Sequence, residues 1–246
     1  MNQNELELLH DKRMDGLLFC RKAYLLFNRI RRKPDGIKRL RMRQTVVEKK
    51  LIEEILPITR YIQFKYRAGR SIRIKWLNGN QNYDAVIHQA GTLVEVSDIP
   101  KEYYLEATCA MHPKDYLSRE HINNGNPVFG LEGLTRDKKS KTIISTPVVR
   151  RGLDFVSNFA DIVINRIDDK SSKRYPDNTI LVVECNLDTL YTDDEWEEMI
   201  NLVKAKIKSH PFIEIFLCDC ILEHNATIFR PNPPLNRTRA DNAHAG

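Results

Sequence analysis

The sequence predicts an α/β fold in which strands and helices alternate along the chain. A continuous apolar run, Thr179–Cys185, is typical of a central strand that is buried on both faces of a sheet. The helix after it begins at a capping box, with Thr192 as N-cap and Glu195 three residues later. Before the strand, residues 152–172 repeat apolar side chains at helical spacing. Helices flanking a buried strand indicate layers of helix on sheet.

Three strands are predicted in the middle of the chain, and two of them carry an acidic residue. Asp84 interrupts a β-favouring run, and Glu106 lies in the most hydrophobic part of the next strand. An acid inside a strand is unfavourable for packing, so two of them on consecutive strands indicate a shared task, such as metal binding. The predicted strands are Tyr61–Tyr66, then Ser71–Trp76 continuing after a turn as Tyr83–Ile87, and finally Tyr103–Ala110.

The N-terminal part of the chain is predicted to be helical and basic. Apolar side chains recur at helical spacing over residues 5–33 and again over residues 37–56, where Pro57 is expected to end the second helix. Residues 21–50 contain twelve lysines and arginines and two acids. Such a face can neutralise the phosphates of a nucleic acid, although a solvated helix face explains the same charges equally well.

Six of these basic residues are the candidate nucleic-acid contacts. No aromatic ladder of the kind that binds single strands interleaves these charges, which favours contact with a duplex backbone over base stacking. The six candidates are Arg31, Arg32, Lys38, Arg39, Arg41 and Arg43.

Composition predicts a cytoplasmic protein without a membrane partner. Hydrophobic residues make up 41% of the 246 residues and charged residues 29%, which is ordinary for a globular domain. No apolar run approaches the roughly 18 residues that span a bilayer, and the polar N-terminus does not resemble a secretory signal. Five cysteines in apolar surroundings predict reduced thiols. We expect a basic helical segment at 1–45, an α/β domain at 46–230 and a disordered tail at 231–246.

The order of the elements resembles the PD-(D/E)XK, or restriction-endonuclease-like, nuclease superfamily. That core is a helix, a three-strand meander, a crossover helix and a further strand, here with an added basic N-terminal helix. Asp84 after Tyr83 matches the family's aspartate at the second strand, without the preceding proline. Glu106 matches the acid of the acid-X-lysine motif on the third strand, but Thr108 occupies the lysine position. The resemblance covers roughly residues 46–185.

The resemblance implies an endonuclease that uses Mg²⁺ or Mn²⁺ to hydrolyse phosphodiester bonds, in DNA rather than RNA, with defence or mobile-element biology as its expected setting. It implies Asp84, Glu106 and Glu53 as metal ligands. Glu48 and Glu54 are alternatives to Glu53 on the same helix.

A lysine from elsewhere would have to replace the missing motif lysine. The implied catalytic set is Asp84, Glu106 and Lys170, because Lys170 lies near the end of the crossover helix. Lys173 and Lys101 are the alternatives to it.

Two other functions stay open at this point. Thr108 cannot supply a positive charge, so the same fold could be a catalytically inactive module that binds nucleic acid or a protein. The acids could also support a packing network in an assembly subunit. A homodimer or a complex with a partner protein is compatible with each of these functions.

Overall fold

A computed structural model of the protein confirms the α/β class and describes residues 5–97, 100–149, 154–187, 189–220 and 224–230. The tail predicted at 231–246 lies outside these ranges. The strands in the described ranges are β1 (Arg13–Asp15), β2 (Ser71–Trp76), β3 (Ala85–Ala90), β4 (Glu102–Met111), β5 (Leu134–Arg136), β6 (Ile143–Ser145), β7 (Thr179–Asn186), β8 (Glu214–Asp219) and β9 (Asn225–Phe229).

Helices precede, connect and follow these strands. None of those in the described ranges is both long enough and apolar enough to cross a membrane. They are α1 (Gly16–Arg31), α2 (Gly36–Met42), α3 (Val46–Lys50), a π-helical turn (Leu51–Ile55), α4 (Leu56–Lys65), α5 (Thr92–Val96), α6 (Asp115–Asn123), α7 (Asp154–Ser171) and α8 (Asp193–Lys206).

The sheet is mixed and has the strand order β1-β2-β3-β4-β7-β8-β9. Strands β1 to β4 are antiparallel neighbours, β4, β7 and β8 are parallel, and β9 returns antiparallel to β8. A parallel pair needs a crossover, and α7 lies between β4 and β7 in the chain. Strands β5 and β6 pair antiparallel as a separate two-stranded sheet.

Helices cover both faces of the sheet. Successive side chains of β7 point to opposite faces, so Ile180 packs into one hydrophobic cluster and Leu181 into another. The first cluster also contains Phe19 and Ile30 of α1, together with Ile72 of β2. Side chains of the basic N-terminal segment therefore share a core with the sheet.

The prediction of a strand at Tyr61–Tyr66 is wrong, because residues 61–65 belong to helix α4 and Tyr66 caps its C-terminal end. The backbone stays right-handed helical from α3 through the π-helical turn into α4. In an ordinary α-helix the ring of Pro57 would clash with the carbonyl of Glu53, but the wider turn before it carries a bond from Leu56 N–H to the Leu51 carbonyl instead. Pro57 therefore does not end the helix.

The segment predicted as one interrupted strand, from Ser71 to Ile87, forms two separate strands, β2 and β3. The segment interrupted at the Asn78-Gly79-Asn80 turn folds into the β2–β3 hairpin, with Ser71 opposite Ala90 and Trp76 opposite Ala85. The three-strand meander is thus β2, β3 and β4 rather than the predicted set. By contrast, the central strand β7 and the Thr192 capping box are confirmed.

Candidate functional site

A polar cleft of about 310 Å³ opens beside β4, where the π-helical turn and the end of α7 meet it. It contains the three residues predicted from the sequence to be catalytic. Its lining residues are Glu53, Glu54, Asp84, Glu106, Ala107, Thr108, Cys109, Met111, Arg166, Asp169, Lys170 and Lys173.

Asp84 and Glu106 are brought together by the pairing of β3 with β4. Ala85 lies opposite Leu105, and the Asp84 N–H donates to the Leu105 carbonyl at 2.7 Å. The backbone N–H of Ala107 donates to Asp84 Oδ2 at 2.8 Å, which holds the Asp84 carboxylate against β4 beside Glu106. Glu106 itself is 7% exposed. The two carboxylates predicted to share a task therefore line one cleft.

Lys170 reaches the same point from the helix. Its Nζ forms an ion pair with Glu106 Oε1 near the C-terminal end of α7. Thr108 lines the same cleft, two residues after Glu106 and on the same face of β4. The ammonium group of Lys170 on α7 thus pairs with Glu106, while Thr108 presents a hydroxyl group two residues further along β4.

The π-helical turn supplies two consecutive glutamates to the cleft. Oε1 of Glu53 accepts hydrogen bonds from Arg43 Nη1 at 2.7 Å and from the Tyr116 hydroxyl at 3.1 Å. Glu54 lies 3.4 Å from Lys50 Nζ. Burial raises the pKa of Glu54, Lys50 opposes this effect, and the charge of Glu106 adds to it. Glu54 is thus electrostatically close to the Asp84–Glu106 pair, whereas Glu53, the helix acid named from the sequence, is held by its own partners.

Glu48, the remaining alternative, lies elsewhere. It is fully buried, caps α3 through the backbone N–H of Thr45 at 2.8 Å, and pairs with Arg39 at 2.5 Å. These contacts give it a structural task outside the cleft.

Crowding of acids changes the ionisation of Asp84. Burial, followed by the charges of Glu106 and Glu54, raises the pKa of Asp84 to about 7 from its ordinary 3.8. The Ala107 N–H and Lys170 act in the opposite direction but do not cancel this effect. Repulsion among carboxylates is the condition that a bound cation relieves.

The donor set fits a hydrated divalent cation. Within the described ranges, no three His, Cys, Asp or Glu side chains are arranged as a preformed ligand cluster. Mg²⁺ needs no such cluster, because it keeps several waters and is bound by one or two carboxylates together with substrate phosphates. Asp84 and Glu106 supply two such carboxylates, and their oxygens suit a hard cation.

Two more side chains in or near the cleft, Arg166 and Tyr175, were not predicted from the sequence, whereas Lys173, the alternative to Lys170, also lines it. Arg166 lines the cleft one turn before Lys170 on α7, and this spacing of four residues is the signal that could have found it. Burial, followed by the charges of Glu106 and Asp84, raises the pKa of Tyr175. No sequence pattern marks Tyr175.

The structure divides the six predicted nucleic-acid contacts into two groups. Arg31, Arg32 and Lys38 are exposed at the surface. The other three make internal contacts: Arg39 with Glu48, Arg41 with Asn123, and the buried Arg43 with Glu53.

Replacing Asp84 by asparagine should stabilise the protein increasingly as the pH rises from about 4 to about 7. Above pH 3.8 the unfolded chain ionises Asp84, while the folded protein keeps it protonated until about pH 7, so the wild type loses stability across this range. The half-buried side chain limits the gain of the Asp84→Asn variant to the order of 2 kcal/mol. Urea unfolding of both proteins at several pH values measures it, and a difference that does not vary with pH would contradict the assignment.

Comparisons with models of known protein families, with curated proteins and with solved structures returned no significant match to this chain. Function must therefore be argued from the cleft itself.

Proposed function

We propose that the protein is a metal-dependent nuclease of the restriction-endonuclease-like kind that hydrolyses phosphodiester bonds in DNA. One observation carries the proposal: Asp84, Glu106 and Lys170 line one cleft, with the lysine ammonium paired to the glutamate. The succession of the α3–α4 helix, the β2–β3–β4 meander, the α7 crossover and β7 supports it.

Each of these groups has a task in phosphodiester hydrolysis. A divalent cation, when bound, would polarise the phosphate and lower the pKa of a bound water. Asp84 and Glu106 would hold it, since each presents a carboxylate to the cleft. Lys170 can donate to a phosphate oxygen and neutralise the negative charge that develops there, a task that Thr108 cannot perform.

The positive surface supports a polyanionic substrate. Lys173 is exposed, and Arg166 is half-buried; both lie at the cleft, where they can contact the phosphates that flank the scissile bond. Arg31, Arg32 and Lys38 form a second exposed basic group that can bind the backbone further along the duplex.

Incubation of the purified protein with supercoiled plasmid tests this function. We expect nicked or linear products with Mg²⁺ or Mn²⁺, and none with EDTA, because hydrolysis depends on the cation that the carboxylates hold. Salt-dependent DNA binding without any product in either metal would overturn the nuclease and support the inactive binding module instead.

A further inference from the structure

A second cavity, of about 570 Å³, lies among α1, α2, the π-helical turn, α6 and the C-terminal end of β7. This volume lies within the range of small-molecule pockets, which is roughly 300–1,000 Å³. The nuclease proposed above uses none of the residues that line it.

The cavity carries an excess of positive charge. Two carboxylates, from Asp115 and Glu184, face four guanidinium groups. Three of the four form ion pairs, Arg43 with Glu53, Arg60 with Glu184 and Arg119 with Asp115, and Arg41 donates to the side chain of Asn123. The four guanidinium groups belong to Arg41, Arg43, Arg60 and Arg119.

Arg43 is the most deeply buried of these residues, and part of its hydrogen-bonding capacity is unused. Its side chain is 3% exposed, and its Nη1 donates to Glu53. Its Nε is buried and has no hydrogen-bond partner within the described part of the chain. A buried donor without a partner is unfavourable, so this N–H favours a ligand acceptor.

Arg119 lies close to Arg43 and is held in place by the protein. Its Nη2 pairs with Asp115 at 2.5 Å, and its Nη1 donates to the Arg41 carbonyl at 3.0 Å. The guanidinium carbons of Arg43 and Arg119 lie 5.8 and 5.1 Å from the centroid of the Tyr116 ring. Burial, followed by the charge of Arg43, lowers the pKa of Arg119. Two like charges in one partly desolvated space are stabilised by an anion.

The rest of the cavity wall is largely apolar. Tyr24 and Phe27 of α1 line it with flat ring surfaces, and Leu40, Ile52 and Leu187 complete this side. Such a wall suits an attached planar or apolar group rather than a bare inorganic ion.

We infer that this cavity binds a phosphomonoester joined to a planar group, with the size and charge of a nucleoside monophosphate. A phosphomonoester carries about −1.5 to −2 charge at pH 7. Its oxygens can accept from the Nε of Arg43, which is unpartnered among the described residues, and offset the like charges of Arg43 and Arg119, which lie over one Tyr116 ring. The same chemistry occurs in a free nucleotide and at the 5′-phosphorylated end of a DNA strand. The inference does not depend on the nuclease activity, because it concerns a different set of residues.

Calorimetric titration of the full chain with deoxyadenosine 5′-monophosphate tests the inference. We expect saturable binding, weaker binding of inorganic phosphate, and no binding of deoxyadenosine, because both the anion and the planar group contribute. The Arg119→Gln variant should weaken nucleotide binding by about tenfold or more, since it removes a charged hydrogen bond. Ser118→Asp, which adds a negative charge at the buried lining residue Ser118, should do the same without breaking an ion pair.

Two controls separate the cavity from other sites. Arg136→Gln removes an arginine that pairs with Glu120 outside the cavity and should leave nucleotide affinity unchanged. Glu106→Gln should also bind the nucleotide as the wild type does, even where cleavage fails. Tighter binding of a 5′-phosphorylated than of a 5′-hydroxyl oligonucleotide would identify the end of a DNA strand as the ligand. Equal binding of the two oligonucleotides would identify a free nucleotide as the ligand. The inference would be overturned if the wild type showed no saturable nucleotide binding, or if both cavity variants bound the nucleotide with the affinity of the wild type.

Discussion

Glu106→Gln is expected to reduce metal-dependent DNA cleavage by about a thousandfold or more, which corresponds to about 4 kcal/mol of transition-state stabilisation. The substitution removes one of the two carboxylates available for the cation. It keeps the shape of the side chain and an oxygen that can accept from Lys170, so the fold should persist. Initial rates of plasmid nicking in Mg²⁺, with circular dichroism of the same samples, measure both effects.

Glu102→Gln is the matched control, because Glu102 lies on the same strand but is exposed and pairs with His88 outside the cleft. It should cleave as the wild type does. Retained cleavage by a folded Glu106→Gln variant would exclude the proposed site.

Lys170→Met is expected to reduce cleavage by about a hundredfold to a thousandfold, the usual effect of losing one group that stabilises developing charge. The change also leaves Glu106 without its ammonium partner, so some loss of stability should accompany it. Because a loss of stability would also lower the cleavage rate, the rates must be compared at a temperature where the variant is fully folded. Lys206→Met is the matched control, since Lys206 pairs with Asp161 outside the cleft.

A second substitution distinguishes a catalytic from a structural lysine. Thr108 lines the cleft two residues after Glu106, so Thr108→Lys places an ammonium where the acid-X-lysine motif has one. In the Lys170→Met background it should restore part of the cleavage. A double variant that recovers stability without recovering cleavage would indicate that the lysine only neutralises a buried acid.

Two acids of the candidate site could be predicted because a carboxylate is unfavourable in a strand-forming segment, although only Glu106 lies inside a strand and Asp84 directly precedes β3. Asp84 and Glu106 were recognisable as acids within apolar strand-forming segments. Lys170 was suggested by the lack of a lysine at position 108, and the structure brings the three into one cleft.

The parts that could not be predicted depend on tertiary context. Residues 61–66 read as a strand because aromatic and β-branched side chains favour β structure, yet burial of Tyr61 and Ile62 against the sheet maintains the helix. The π-helical turn before Pro57 has no sequence signature, and it is this turn that places both Glu53 and Glu54 at the cleft.

The edges of the sheet were also missed. Strand β1 is three residues long and pairs with β2 inside a segment that has helical periodicity. Short edge strands carry too few residues for a period-two pattern to be distinguished. Likewise, a count of charges does not reveal that Arg39 pairs with Glu48 and Arg43 with Glu53. A left-handed backbone conformation at Arg43 ends α2 ahead of these two acids in the chain.

We propose that Asp84 and Glu106 together hold a divalent cation. Titration of the protein with Mn²⁺, followed by the loss of the free-ion signal in electron paramagnetic resonance, tests it without relying on turnover. We predict a saturable Mn²⁺ site in the wild type that is absent from a folded Asp84→Asn/Glu106→Gln double variant. Equal Mn²⁺ binding by the two proteins would contradict the claim.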